Sequence, residues 1–162
     1  MAKKPTLPFA QRLVLNQYIL SLFGLERFED LSIYMNKSEN EGLTEDRVSK
    51  FHHALLQALP LTGAELDADT LLGYDQNIVG HTLAIQGKRP APIGWKYFQY
   101  IALLFTEIYL DRYMNARDGL LSALNPHVTK FNAPLDDADK VKPFKEGDLR
   151  KIAFWSATGS GK

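Results

Sequence analysis

The chain has 162 residues, and its 19 Lys and Arg side chains are balanced by 19 Asp and Glu, while 45% of the residues are hydrophobic. This length suits one domain of ordinary size, or one domain with the edge of a second. The balanced charge gives no overall basic field, so nucleic acid or anionic lipid could bind only at a local patch. The absence of cysteine excludes disulfides, thiolate nucleophiles, iron–sulfur clusters and cysteine-based zinc sites.

No segment has the length and apolarity of a membrane-spanning helix. The most apolar stretch, Tyr100 to Leu110, includes Thr106 and Glu107 and is far shorter than the roughly 20 apolar residues that a spanning helix needs. The apolar residues 13–23 are followed by Gly24-Leu25-Glu26-Arg27, which does not resemble a signal-peptide cleavage site. The sequence therefore predicts a soluble protein with no membrane partner, located in the cytoplasm.

Apolar residues recur at spacings of three and four along most of the chain, which predicts helices. Gly24 is a predicted C-cap, Thr44 a predicted N-cap, and Asp67 or Asp69 another. The longest predicted helix begins near Trp95 and has two adjacent apolar stripes, so it should form the centre of the core. The predicted helices run from about Pro8 to Gly24, Glu26 to Met35, Thr44 to Leu59, Asp67 or Asp69 to Gly87, and Trp95 to Arg112.

The pattern changes near Pro126. Leu120, Leu121 and Leu124 predict one more short turn before Asn125-Pro126 closes the helical bundle. The predicted organisation is thus an all-helical domain at 1–125, a linker at 126–148, and a new unit at 149–162 that opens with a short strand, Lys151 to Trp155.

The residues after this predicted strand have the composition of a phosphate-binding loop. Such a loop needs glycines so that backbone N–H groups can turn toward one anion, and a lysine that reaches the outer phosphates. Gly159, Gly161 and Lys162 meet these needs, although the strict motif has Gly at the position of Ser156 and Ser or Thr after the lysine. The competing interpretation is a flexible Gly/Ser tail.

The segment Phe154-Trp155-Ser156-Ala157-Thr158-Gly159-Ser160-Gly161-Lys162 resembles the first motif of superfamily two helicases, of the DEAD/DEAH-box and restriction-subunit type. Upstream, Tyr74-Asp75-Gln76-Asn77-Ile78, His81-Thr82 and residues 97–113 resemble the amino-terminal region of the same large bacterial proteins. The resemblance covers about half of the chain. The nucleotide-binding residues that it implies are Thr158, Gly159, Ser160, Gly161 and Lys162.

This resemblance implies an N-terminal fragment of an ATP-dependent DNA helicase or translocase, a hydrolase of a restriction or other anti-phage system. The expected architecture is mainly α: a helical bundle, a linker, and the first strand and phosphate loop of a RecA-like ATPase domain. The intact enzyme would use ATP and Mg²⁺, act on DNA and could pair with a modification methylase subunit. The chain alone, with neither catalytic nor metal-ligating residues of its own, is expected to be inactive. The alternative is a self-contained helical protein-interaction module with an incidental tail.

Other polar clusters are interpreted as structural. Of the adjacent His52 and His53, one is predicted to be half-buried and the other solvated, because neighbours on a helix point about 100° apart. His81 is predicted to be a core histidine, and Glu107 and Asp111 to belong to structural ion pairs rather than an acid–base pair. Two larger sets are predicted to form core and solvated surface respectively: the aromatic residues Trp95, Tyr97, Phe98, Tyr100, Phe105 and Tyr109, and the basic residues Lys88, Arg89, Lys140, Lys142 and Lys145.

Overall fold

The computed structural model describes residues 13–59, 64–137 and 139–154. Within these residues the fold is mainly helical and contains no β-strand, which confirms the predicted mainly α class. Two short 3₁₀ helices, Ser38–Asn40 and Glu146–Arg150, accompany the α-helices. The α-helices are α1 (Val14–Leu22), α2 (Phe28–Met35), α3 (Lys50–Ala58), α4 (Ala68–Gln86), α5 (Tyr97–Asn115) and α6 (Arg117–Asn132).

Helix α5 is the centre of the core, as its two apolar stripes predict. It packs against α1, α4 and α6. Helices α2 and α3 pack against each other, and α3 also packs against α4. The buried residues of α5 are Tyr100, Ile101, Leu104, Phe105, Ile108 and Tyr109.

The end of α1 is set by Gly24. This residue has a φ of +72°, a left-handed conformation that costs an L side chain energy and that glycine adopts readily. The N–H of Leu25 donates to the carbonyl of Leu20, and the N–H of Gly24 to that of Ser21, both at 3.0 Å. These two bonds form a Schellman motif and confirm Gly24 as the helix stop. The predicted start of this helix at Pro8 lies outside the described residues.

The predicted N-cap of α3 at Thr44 is wrong. Thr44 instead closes a tight turn, in which its N–H donates to the carbonyl of Val48 at 2.8 Å and Arg47 adopts a φ of +60°. The cap is Ser49, whose hydroxyl accepts a hydrogen bond from the N–H of Phe51 at 3.2 Å. Both residues have the side chain of an N-cap, and the turn between them decides which one starts the helix.

The start of α4 agrees with the sequence. Asp67 is the N-cap, and its carboxylate accepts a hydrogen bond from the N–H of Thr70 at 2.8 Å. This bond lowers the pKa of Asp67, because it favours the charged carboxylate. Of the two aspartates predicted as caps, the structure selects the first.

Helix α6 does not end at Pro126. The helix has 16 residues, continues to Asn132 and contains Pro126 in its interior. Leu120, Leu124 and Val128 are buried at successive spacings of four, so apolar contacts stabilise both sides of the proline. Burial of Val128 explains why the helix continues, and the linker predicted from residue 126 does not begin there.

Candidate functional site

The predicted nucleotide-binding residues Thr158, Gly159, Ser160, Gly161 and Lys162 lie outside the described residues. The structure does describe the segment that leads toward them. Residues 151–154 form no strand and are exposed, with Ile152 36% and Phe154 65% exposed. A strand needs neighbours for its backbone groups, and the described residues offer this segment none.

The chain is anchored just before this segment, at Leu149. Its side chain is 3% exposed and belongs to the hydrophobic core. Its carbonyl accepts a 2.7 Å hydrogen bond from the hydroxyl of Tyr109, and burial raises the pKa of that tyrosine, which stays protonated as a donor. The point at which residues 151–154 leave the helical body is therefore fixed by α5.

Residues 139–150, here called the strap, follow α6 back along its length. The side-chain amide of Asn132 donates to the carbonyl of Val141 at 2.8 Å and accepts from its N–H at 2.9 Å. Asn125 makes the same pair of bonds with Phe144, donating at 3.3 Å and accepting at 2.8 Å. The two asparagines, here called the clamp, bind the strap as a neighbouring β-strand would. Sequence reasoning missed them because it ended the helix at Asn125-Pro126.

A buried carboxylate joins three of the helices. Asp75 is 0% exposed, and its two oxygens accept hydrogen bonds from the N–H of Ser49 at 2.9 Å and the hydroxyl of Tyr100 at 2.6 Å. Burial, followed by the charge and hydrogen bond of Asp75, raises the pKa of Tyr100. Both oxygens are thus used to join helices, which favours a structural role over a catalytic one.

The histidine pair on α3 is divided between interior and solvent as predicted, although the inner histidine is fully buried instead of half-buried. His52 is buried and His53 is exposed, with their ring centroids 5.7 Å apart. Burial lowers the pKa of His52, the charge of Asp75 opposes this effect, and His53 adds to it. The Nδ1 atom of His52 is buried and has no hydrogen-bond partner among the described residues.

His81 is exposed, so its prediction as a core histidine is wrong. The buried face of α4 includes Ile78 and Thr82. His81 and Ile85 lie on the opposite, solvent-exposed side of the helix. Across the described part of the chain, no three His, Cys, Asp or Glu side chains form a group that could hold a metal ion.

The acidic residues of α5 join it to α4 and to its own last turn. The hydroxyl of Tyr74 donates to Asp111 at 2.7 Å, and Asn77 donates to Glu107 at 3.1 Å. Asn115 also donates to Asp111, at 2.7 Å. Burial, followed by the hydrogen bond to Asp111, raises the pKa of Tyr74. These carboxylates are structural, although the contacts are hydrogen bonds to neutral groups instead of the predicted ion pairs.

The aromatic cluster that the sequence predicts to be core is buried only in part. Tyr100, Phe105 and Tyr109 are buried, whereas Phe98 is 37% exposed. Phe98 lines a cleft of about 250 Å³ between the end of α2 and the start of α5. The lining also includes Lys37 and a 2.8 Å ion pair between Lys96 and Glu41, so the cleft combines apolar and charged surface.

The basic residues predicted to be solvated are exposed: Lys88, Arg89, Lys140, Lys142 and Lys145. Lys140 pairs with Asp137 at 2.7 Å. Acidic residues of the same segment therefore reduce the local positive charge along the strap.

Comparisons with protein-family models, curated proteins and solved structures find no match to this chain. Among the helices of residues 13–59, 64–137 and 139–154, none combines the length and the apolar character needed to cross a lipid bilayer.

Proposed function

We propose that the helical body is the module that precedes the ATPase core of an ATP-dependent DNA helicase or translocase, belonging to a restriction or other anti-phage system. The observation behind this proposal is the segment from Phe154 to Lys162, with its resemblance to the first motif of superfamily two helicases. In this proposal the backbone of Thr158 to Gly161 surrounds the phosphates of ATP, and Lys162 reaches the outer ones. Mg²⁺ would accompany the nucleotide.

The arrangement of the chain before the motif supports this proposal. The last buried residue in the described part is Leu149, and the apolar side chains of Ile152 and Phe154 follow it into solvent. Apolar residues in this position are typical of a strand that is paired within a sheet. In the proposed protein, the ATPase core contains the sheet with which this segment pairs.

The proposal gives the helical body a supporting role instead of the chemistry. Each oxygen of its buried carboxylate, Asp75, accepts a hydrogen bond, and the acidic residues of α5 bind neighbouring side chains. Lys140 of the strap pairs with Asp137, and acidic residues alternate with the other exposed lysines in the sequence, so DNA binding is assigned to the ATPase core.

The test is DNA-stimulated ATP hydrolysis by the full-length gene product. Lys162→Ala should reduce turnover at least about 100-fold, because the lysine stabilises the charge that develops on the transferred phosphate. Lys151→Ala, an exposed lysine outside the loop, is the matched control and should retain turnover. A reading frame that stops at Lys162, or hydrolysis that does not require this lysine, would contradict the proposal and favour the protein-interaction module.

A further inference from the structure

The strap and the clamp match each other in length and direction. Asn125 and Asn132 lie on one face of α6, about two turns or 10–11 Å apart. Val141 and Phe144 are three residues apart, which spans about 10 Å in an extended chain. The pairs are crossed, because the later asparagine binds the earlier strap residue. The strap therefore runs antiparallel to α6, held at two points that agree in spacing.

The sequence of the strap favours this bound conformation. Pro143 lies between the two clamped residues, at a position where the clamp uses no N–H. The proline also restricts Lys142 to extended backbone. The fixed φ of Pro143 and the restriction of Lys142 reduce the entropy that the strap loses on binding to α6.

Two further contacts continue the same path beyond the clamp. Glu146 lies 3.6 Å from Arg117 at the start of α6, and the carbonyl of Leu149 accepts the hydroxyl hydrogen of Tyr109 on α5. Arg117 itself lies 4.4 Å from the centre of the Tyr113 ring. The strap is thus attached in order, from the end of α6 toward the start of that helix and then onto α5.

These attachments differ in burial along the strap. The bonds from Asn132 are exposed and those from Asn125 are part-buried, while Phe144 is half-buried and Leu149 is fully buried. No strap residue pairs with a β-strand within the described residues. Segments held by exposed hydrogen bonds and few buried side chains open locally at lower free energy than the core.

We propose that the strap is a releasable element that opens as a unit while the six helices stay folded, and that the asparagine clamp controls this opening. When the clamp is closed, the strap fixes where residues 151–154 leave the body. When it is open, the 12 strap residues become a tether that extends to at most about 40 Å. If the proposed function is also correct, on which this last step depends, the clamp determines whether the ATPase core is held against α5 or only tethered to it.

The experiment is amide hydrogen exchange on the chain that carries Asn125→Ala and Asn132→Ala together. Alanine favours the helix more than asparagine does, so α6 itself should not weaken. We expect exchange at Val141 and Phe144 to become at least ten-fold faster, with exchange at Leu104 in α5 unchanged. Because the first two amides lose their own acceptors, opening of the whole strap is measured at Asp148, whose N–H donates to Lys145 within the strap and should also exchange faster. Asn115→Ala is the control, since the side-chain amide of Asn115 donates to Asp111 in its own helix.

A second variant separates the two kinds of bond. Asn125→Asp keeps an oxygen that accepts from the N–H of Phe144 and loses the donor to its carbonyl. It should accelerate exchange at Phe144 less than Asn125→Ala does. Trypsin gives an independent measurement, because it cleaves after Lys140 and Lys145, which lie in the strap, and cleavage at both should be faster in the double variant.

Two results would overturn the inference, and neither depends on ATP hydrolysis. Unchanged exchange at Asp148 in the double variant would show that loss of the clamp does not release the strap as a unit. Equal acceleration at Leu104 would show that the strap opens only when the whole helical body unfolds.

Discussion

Tyr100 of α5 donates a 2.6 Å hydrogen bond to Asp75 of α4 in the interior of the helical body. The second oxygen of Asp75 accepts from the N–H of Ser49, the residue that caps α3. Three helices therefore meet at one carboxylate that is 0% exposed. A buried carboxylate that loses such donors also lacks water to replace them, so packing of these helices depends on both bonds.

Tyr100→Phe should destabilise the fold through this carboxylate alone. The substitution keeps the ring, which stacks on Phe51 with centroids 5.3 Å apart, and removes only the hydroxyl. We expect the free energy of unfolding to fall by about 1–3 kcal/mol, because one oxygen of Asp75 is left without a donor. Urea denaturation measures the change, with Tyr34→Phe, on a tyrosine that is 41% exposed, as the control. An unchanged midpoint for Tyr100→Phe would show that Asp75 does not depend on this donor.

Phe105→Asp should unfold the helical body. Phe105 is 9% exposed and stacks on Phe23 of the α1 terminus, with ring centroids 6.1 Å apart. An unpaired buried charge costs several kcal/mol, which is a large part of a typical stability of about 5–15 kcal/mol. Leu110→Asp places the same charge on the same helix at a side chain that is 41% exposed, and it should remain folded. Thermal melts followed by circular dichroism distinguish the two, and equal melting temperatures would mean that α5 is not the core.

Two glycine substitutions should change the free energy of unfolding in opposite directions. Gly24→Ala should destabilise the fold by about 1–2 kcal/mol, because φ at this position is +72°. Gly80→Ala should stabilise it by about 0.5–1 kcal/mol, since Gly80 is inside α4, is exposed, and has nothing within 4 Å of an added Cβ. Chemical denaturation of both variants checks the pair. A loss of stability in Gly80→Ala would mean that its helix conformation is not the regular one described.

The elements that the sequence predicts well are those with a local cause. Gly24 ends α1 because the helix stop depends on the left-handed backbone conformation of that one residue. Asp67 caps α4 because its carboxylate accepts from an N–H three residues later. The central position of α5 follows from its two apolar stripes. In each case the deciding interaction lies within a few residues of the chain.

The elements that the sequence predicts poorly depend on contacts between distant residues. Helix α6 continues through Pro126 because Val128 is buried, which the local rule for proline does not include. The clamp joins residues 125 and 132 to residues 141 and 144, and two asparagines spaced two turns apart before a proline-containing extended segment are the only local sign of it. The phosphate loop lies outside the described residues and stays a prediction.

Acidification should destabilise the fold through His52. Burial lowers the pKa of this imidazole, Asp75 partly opposes the shift, and the neighbouring His53 adds to it. Near the ordinary histidine pKa of about 6.5, the unfolded chain therefore binds more protons than the folded one. Stability rises with pH wherever the unfolded state binds more protons, so the free energy of unfolding should fall as the pH drops below about 6.5.

His52→Leu isolates this contribution. The variant should flatten the decline in unfolding free energy between about pH 7 and pH 5, because the buried group can no longer take up a proton. It should also raise stability at neutral pH by about 1 kcal/mol, since the unpartnered Nδ1 atom is removed from the interior. Some dependence of the unfolding free energy on pH should remain in this variant, because burial and Lys130 lower the pKa of His127 as well. His53→Gln, at the exposed neighbour, is the matched control and should retain most of the decline. Urea titrations across this pH range measure both variants, and an equal decline in His52→Leu would mean that the acid sensitivity arises from another group.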